Sequence, residues 1–269
     1  MKKVYLMLVI MLVAACSTNP ITGKSPLILV SNAEIFPMAF QQYQQVLKEE
    51  KLSTNRQQTQ MLKEVGNNIK GTVERFLASQ DQSHFLNGYQ WEFNLIESDQ
   101  LNAWCMPGGK VAFYTGIMPV CKDENGVAVV MGHEITHAIA EHSAQRMTQA
   151  MLAQGLQVAG NIALNDSKYQ NVFNQLYPMG ATVGILAYSR SAELEADKIG
   201  LQLMAMSGYD PREAPKFWNR MQSVAKAKGS QAPPEFLSTH PDPGRRIAQL
   251  EREIPNVLPL YYQAIGKTK

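Results

Sequence analysis

The sequence predicts an α+β fold that is predominantly helical, with one small β-sheet lying beside a long central helix. Apolar residues recur at helical spacing through most of its 269 positions. Segments rich in aromatic and β-branched residues are confined to 89–117, around a Pro107-Gly108-Gly109 turn. No internal repeat is visible, and the length suits a single compact domain.

Taken in order, Met1-Lys2-Lys3 precedes an apolar run over 4–15 and then Cys16. Twelve residues are too few to span a bilayer, which takes about 20, so residues 1–15 are read as a secretory signal peptide. Residues 16–30, with Pro20, Gly23 and Pro26, read as an extended tether, and residues 31–269 as the single folded domain. Helices are expected over 32–50 and 55–79, strands over 89–97, 101–106 and 110–117, and a long helix over 124–151. The Met-, Ala- and Gln-rich stretch 147–188 is read as a core helical hairpin, with a lid as the alternative. Helices follow over 188–207, ended by Gly208-Tyr209-Asp210-Pro211, then over 212–227 and 243–253, before an irregular tail.

Charge excludes one class of function. The chain carries 25 Lys and Arg against 23 Asp and Glu, and Lys2 and Lys3 leave with the signal. The remainder is near neutral and has no basic cluster, which argues against a nucleic-acid partner. Export places Cys105 and Cys121 where disulfides persist, and a bridge between them across the Pro-Gly-Gly turn is expected to clamp the hairpin.

The chemistry-bearing stretch is His133-Glu134-Ile135-Thr136-His137. Residues four apart on a helix share a face, so both imidazoles can reach one metal ion while Glu134 stands beside it. Such a carboxylate can take a proton from water whose pKa the metal lowers to about 7. The residue frequencies give roughly 0.005 chance occurrences of the pattern. The apolar flanks Val127-Ala128-Val129-Val130-Met131 and Ala138-Ile139-Ala140 make a buried helix, where unpartnered His and Glu are costly.

A catalytic zinc site needs a third protein ligand. In Ser189-Arg190-Ser191-Ala192-Glu193-Leu194-Glu195-Ala196-Asp197, Glu193 and Asp197 share a face while Glu195 points elsewhere. The pair fits one metal ligand plus one acceptor for a ligand histidine, and a solvated acidic face is the alternative. His142, five residues past His137, lies about 140° off the ligand face and reads as structural.

Four blocks in this order resemble the gluzincin family of membrane-associated zinc metallopeptidases that includes HtpX, the CAAX prenyl protease and the lipoprotein BepA. They are Asn102-Ala103-Trp104-Cys105-Met106-Pro107-Gly108-Gly109, Gly132 through His137, Ser189-Arg190 with Glu193 through Asp197, and Ser238-Thr239-His240-Pro241 followed by Arg246-Ile247. The resemblance implies a gluzincin-like fold with its small sheet beside the zinc helix and one zinc ion per chain, held by His133, His137 and Glu193. It makes Glu134 the general base and Asp197 the residue orienting a ligand histidine. His240 would stabilise the oxyanion or close the zinc in a latent form, and Arg246 would brace its loop.

The strand over 101–106, with Asn102, Ala103 and Trp104, is the expected substrate cradle, pairing with an extended peptide as an added strand. Val13-Ala14-Ala15-Cys16 resembles a lipobox, which makes Cys16 the lipidated first residue of a bacterial lipoprotein. Ser17 after it fits the periplasmic face of the outer membrane in a Gram-negative cell. The expected function is a zinc endopeptidase acting on unfolded or misassembled envelope proteins. A zinc-stabilised lipoprotein with a chaperone or scaffold role in outer-membrane protein assembly is the alternative.

Overall fold

A computed structural model describes residues 18–153, 166–177, 188–227 and 235–267. The expected signal peptide over 1–15, Cys16, Ser17 and much of the 147–188 stretch lie outside the described residues. Helices α1 (Asn32–Glu49) and α2 (Arg56–Ala78) precede strands β1 (Glu92–Ile96), β2 (Ala103–Met106) and β3 (Lys110–Tyr114). A short α3 (Met118–Cys121) leads into the central helix α4 (Glu124–Ile139), then α5 (His142–Ala153) and α6 (Asp166–Leu176). The chain closes with α7 (Arg190–Met206), α8 (Glu213–Ala227), α9 (Glu235–Thr239) and α10 (Pro243–Ala264).

The sheet runs β1-β3-β2, with β1 parallel and β2 antiparallel to β3, so β2 is an edge. Both faces are covered, which is why β2 and β3 are buried throughout and, past Lys110, do not alternate apolar with polar residues. Phe93, Leu95, Ala103, Cys105, Val111 and Phe113 join the core built by α2, α4, α7, α8 and α10. Ile96, Trp104, Met106, Ala112 and Tyr114 face the second core, under α1, α5 and α6. Helix α4 is buried from Gly126 to Ile139, and the Asp123 carboxylate caps it by accepting from the backbone N–H of Asn125 and Gly126. A helix apolar on every side belongs in the middle of its domain.

Four expectations need correction. The helix expected over 124–151 is two, because Glu141 takes a left-handed φ of 57° and breaks the run between α4 and α5. Helix α10 runs on to Ala264, with Pro255 and Pro259 on its exposed side while Ile254, Leu260 and Tyr261 pack on the core. The segment expected as an extended tether begins with a turn. Asn19 is 2% exposed and donates to the Ile139 carbonyl at 2.8 Å, so the turn over residues 19–24 is docked on the end of α4. Finally, Cys105 and Cys121 are separate buried thiols. Cys105 lies opposite Val111 at the turn end of the hairpin, whereas Cys121 follows the far end of β3.

Candidate metal centre and active site

The site is assembled where α4 crosses α7. A Cβ on Gly132 would lie 2.7 Å from the Gly200 carbonyl oxygen, and one on Gly200 2.8 Å from the His133 nitrogen. Glycine at both positions lets the backbones touch and brings His133 and Glu193 within reach of each other. The Ser189 hydroxyl caps α7 by accepting from Ala192 N–H at 3.2 Å, which sets Glu193 in the first turn and Asp197 one turn later.

His133, His137, Glu193 and His240 each offer a donor atom, and these atoms lie within 4.8 Å of one another. His133 Nε2 is 3.0 Å from His137 Nε2, 3.2 Å from His240 Nδ1 and 3.5 Å from Glu193 Oε2. Glu193 Oε1 is 3.5 Å from His137 Nε2. Zinc with bonds of 2.0–2.1 Å separates tetrahedral ligand atoms by about 3.3 Å, so the spacing suits that ion. The oxygens agree. Glu193 Oε1 and Glu134 Oε1 are buried carboxylate atoms without a hydrogen bond, although His240 Nε2 stands 3.3 Å from the latter. Such atoms are expensive unless a cation or proton donor faces them.

Electrostatics point the same way. Burial pushes the His137 pKa well below the ordinary histidine value, reinforced by His133, which favours a neutral ring able to bind a metal. Burial also pushes His240 down, but Glu193 and Glu134 overcome it and raise its pKa to about 9. Burial favours protonation of Glu193, yet His240, His133 and Arg246 hold it well below the ordinary carboxylate range. The two carboxylates thus create a field that draws positive charge into the cluster.

Asp197 and Arg246 lie behind the cluster. His133 Nδ1 is 3.0 Å from Asp197 Oδ1, the carboxylate–histidine arrangement expected for a metal ligand. Arg246, 1% exposed, donates through Nε to Asp197 Oδ2 at 2.6 Å, approaches Glu193 at 3.1 Å and lies 3.8 Å over the Trp218 ring. It is a core residue, not a surface arginine. Burial favours protonation of Asp197, but the charge and hydrogen bonds of Arg246, together with those of His133, hold it below its ordinary pKa.

Glu134 and His240 border a narrow cavity of about 20 Å³ with Ala103–Met106, Arg146, Tyr177, Tyr188 and Thr239. Trp104 turns its indole to the second core, edge-on to Tyr43 at 5.8 Å and 3.3 Å from the Tyr114 hydroxyl. Asn102 is fully buried and holds the start of β2, its Oδ1 accepting from Ala103 N–H and its carbonyl from Tyr114 N–H. It is not among the residues lining the cavity. Sequence reasoning missed three neighbours. Tyr188 stacks on His137 at 4.0 Å, Arg146 lies over the Tyr188 ring, and His142 Nδ1 is 2.9 Å from His137 Nδ1. Glu195 does turn from the cluster, to His142 Nε2 at 3.2 Å. The offset of His142 holds only for one continuous helix, and the break at Glu141 turns its ring onto His137.

A family model described as peptidase family M48 matches residues 65–254, a span that contains all four clustered residues. The chain belongs to this family. Zinc is the metal of the M48 peptidases, and the donor set here fits it. Among similar proteins, the mitochondrial metalloendopeptidase OMA1 of Schizosaccharomyces pombe is 35% identical over 172 residues, 63% of this chain and 48% of that protein. The human mitochondrial metalloendopeptidase OMA1 is 28% identical over 261 residues, 89% of this chain and 46% of its own length. The beta-barrel assembly-enhancing protease of Escherichia coli is 31% identical over 179 residues, 65% and 36% of the two chains. The chain thus spans about half the length, or less, of these M48 relatives.

Proposed function

We propose that the chain is a zinc metalloendopeptidase of the cell envelope, anchored through Cys16 at the periplasmic face of the outer membrane and acting on unfolded or misassembled envelope proteins. The convergence of His133, His137, Glu193 and His240, with Glu134 beside them, carries this reading. When bound, zinc supplies Lewis-acid polarisation of the scissile carbonyl and acidifies water. Glu134 Oε1, desolvated and unbonded, accepts the proton of the attacking water and returns it to the leaving amine. His133, His137 and Glu193 would hold the ion, and Asp197 fixes the His133 ring by accepting from Nδ1–H. His240 approaches both Glu134 and Glu193, so it can stabilise the developing oxyanion or serve as a fourth ligand.

The cavity supports a resting form. At about 20 Å³ it holds one water and no peptide, so substrate entry along the edge strand β2 requires its walls to part. Four protein ligands would close the metal, and this favours a latent enzyme, which also accommodates a scaffold role while closed. Envelope placement is supported by the lipobox-like Val13-Ala14-Ala15-Cys16 and by the likeness to the bacterial assembly-enhancing protease. Among the described residues no helix is long and apolar enough to cross a membrane.

The test is degradation of casein by the purified protein, wild type against Glu134→Gln, with zinc content determined on both. Cleavage by the wild type alone, with one zinc on each, is expected. If neither cleaves although both hold zinc, His240→Ala distinguishes a latent enzyme, which that variant activates, from a scaffold, which stays inert. Casein cleavage by Glu134→Gln at the wild-type rate would remove Glu134 from the mechanism.

A further inference from the structure

The break after α4 gives His142 a place that a continuous helix denies it. His137 turns Nε2 toward His133 and Glu193, leaving Nδ1 2.9 Å from His142 Nδ1. Two imidazole nitrogens at that distance share one proton. A His137 that offers its Nε2 lone pair to a metal carries its proton on Nδ1, so His137 donates and His142 Nδ1 accepts. The proton of His142 then sits on Nε2 and is donated to Glu195 Oε2 at 3.2 Å. Lys24 Nζ donates in turn to Glu195 Oε1 at 2.6 Å. Every donor in this chain meets one acceptor, and its direction is fixed from end to end.

The same arm is clamped by the segment that leads from the expected lipid anchor. Asn19 donates to the Ile139 carbonyl at 2.8 Å and to Glu141 Oε2 at 3.2 Å, on either side of the turn from which His142 springs. Its own Oδ1 accepts from Ile21 and Thr22 N–H. Lys24 is largely exposed, so its ion pair contributes little, and the hold of the segment resides in buried Asn19.

We propose that His142, held by Glu195, is the positioning residue for the ligand His137, and that residues 19–24 lock this arm in place. The inference rests on the metallopeptidase reading. It gives the two ligand histidines different supports. His133 is braced directly by the Asp197 carboxylate, and His137 by a histidine that is itself braced by a carboxylate. Tyr188, stacked at 4.0 Å, fixes the His137 ring from its face.

The test measures zinc affinity by chelator competition and the visible absorption of the cobalt-loaded full chain, for wild type, His142→Ala, His142→Asn and Glu195→Ala. Loss of an outer partner of a metal-binding histidine typically weakens metal binding about 10–100-fold. His142→Ala is expected to show that loss with a shifted cobalt spectrum. His142→Asn, which offers an amide oxygen as acceptor, recovers most of the affinity. Glu195→Ala falls in between, and because Glu195 is at the periphery it carries the test if His142→Ala does not fold. The inference is overturned if the folded variants all bind zinc within twofold of wild type with an unchanged cobalt spectrum. It is equally overturned if His142→Asn is as weak as His142→Ala, since the effect is then packing and not the hydrogen bond. A wild type that takes up no zinc sinks the metallopeptidase reading instead.

Discussion

At the scale of single residues, roles divide by what each side chain leaves unpaired. Glu134 and Glu193 both keep a buried oxygen without a hydrogen bond, but only Glu193 lies within 3.5 Å of both helix histidines. Glu134→Gln therefore keeps the metal and lowers turnover about 10²–10⁴-fold, measured as casein cleavage at matched zinc content. Arg246 is a stability residue of a different kind. Truncating one member of a buried pair leaves the other charge uncompensated at a cost of about 3–5 kcal/mol. Arg246→Met, which strands Asp197 beside His133, is expected to lose stability of that order in urea unfolding. Arg246→Lys does not restore it, because an ammonium cannot reproduce the two-point contact or the stack on Trp218. A midpoint within experimental error of wild type for Arg246→Met contradicts the assignment.

Among the elements, the crossing of α4 over α7 decides whether the ligands meet. The sequence placed both helices from apolar periodicity and the spacing of the motif, and it placed the strands of the sheet from their combined β-branched and aromatic content around the Pro-Gly-Gly turn. It was silent on the contact of Gly132 with Gly200, since a separation of 68 positions conceals a pairing made only by packing. Gly200→Ala puts a methyl against backbone at 2.8 Å, where no side chain can yield. We expect a cost of at least about 1–3 kcal/mol, read as a lowered thermal midpoint, together with weakened zinc binding as the helices separate. An alanine variant that matches wild type in both would show that the helices do not cross so closely. The break at Glu141 was likewise illegible. Ala140-Glu141-His142 contains no helix breaker, and the turn is held by tertiary contacts from Asn19.

For the molecule as a whole, helical content, the single small sheet and the order of site blocks were legible because each is written in local spacing. The pairing of thiols was not, because it depends on which end of a hairpin a cysteine occupies. Alkylation in denaturant without reductant is expected to label both Cys105 and Cys121, and reductant to leave the thermal midpoint unchanged. A mass two hydrogens short and no labelling would restore the disulfide. Zinc, binding the folded state, raises stability by mass action, about 2.7 kcal/mol at a free concentration 100 times Kd, so chelation lowers the midpoint. The central claim is that Glu193 holds the metal while Glu134, on the crossing helix α4, only stands beside it. Zinc content per chain of wild type, Glu134→Gln and Glu193→Ala, after dialysis against a weak chelator, tests it most directly. The account predicts about one, about one and near zero, and contradiction comes from a Glu193→Ala protein that keeps its zinc or a Glu134→Gln protein that loses it.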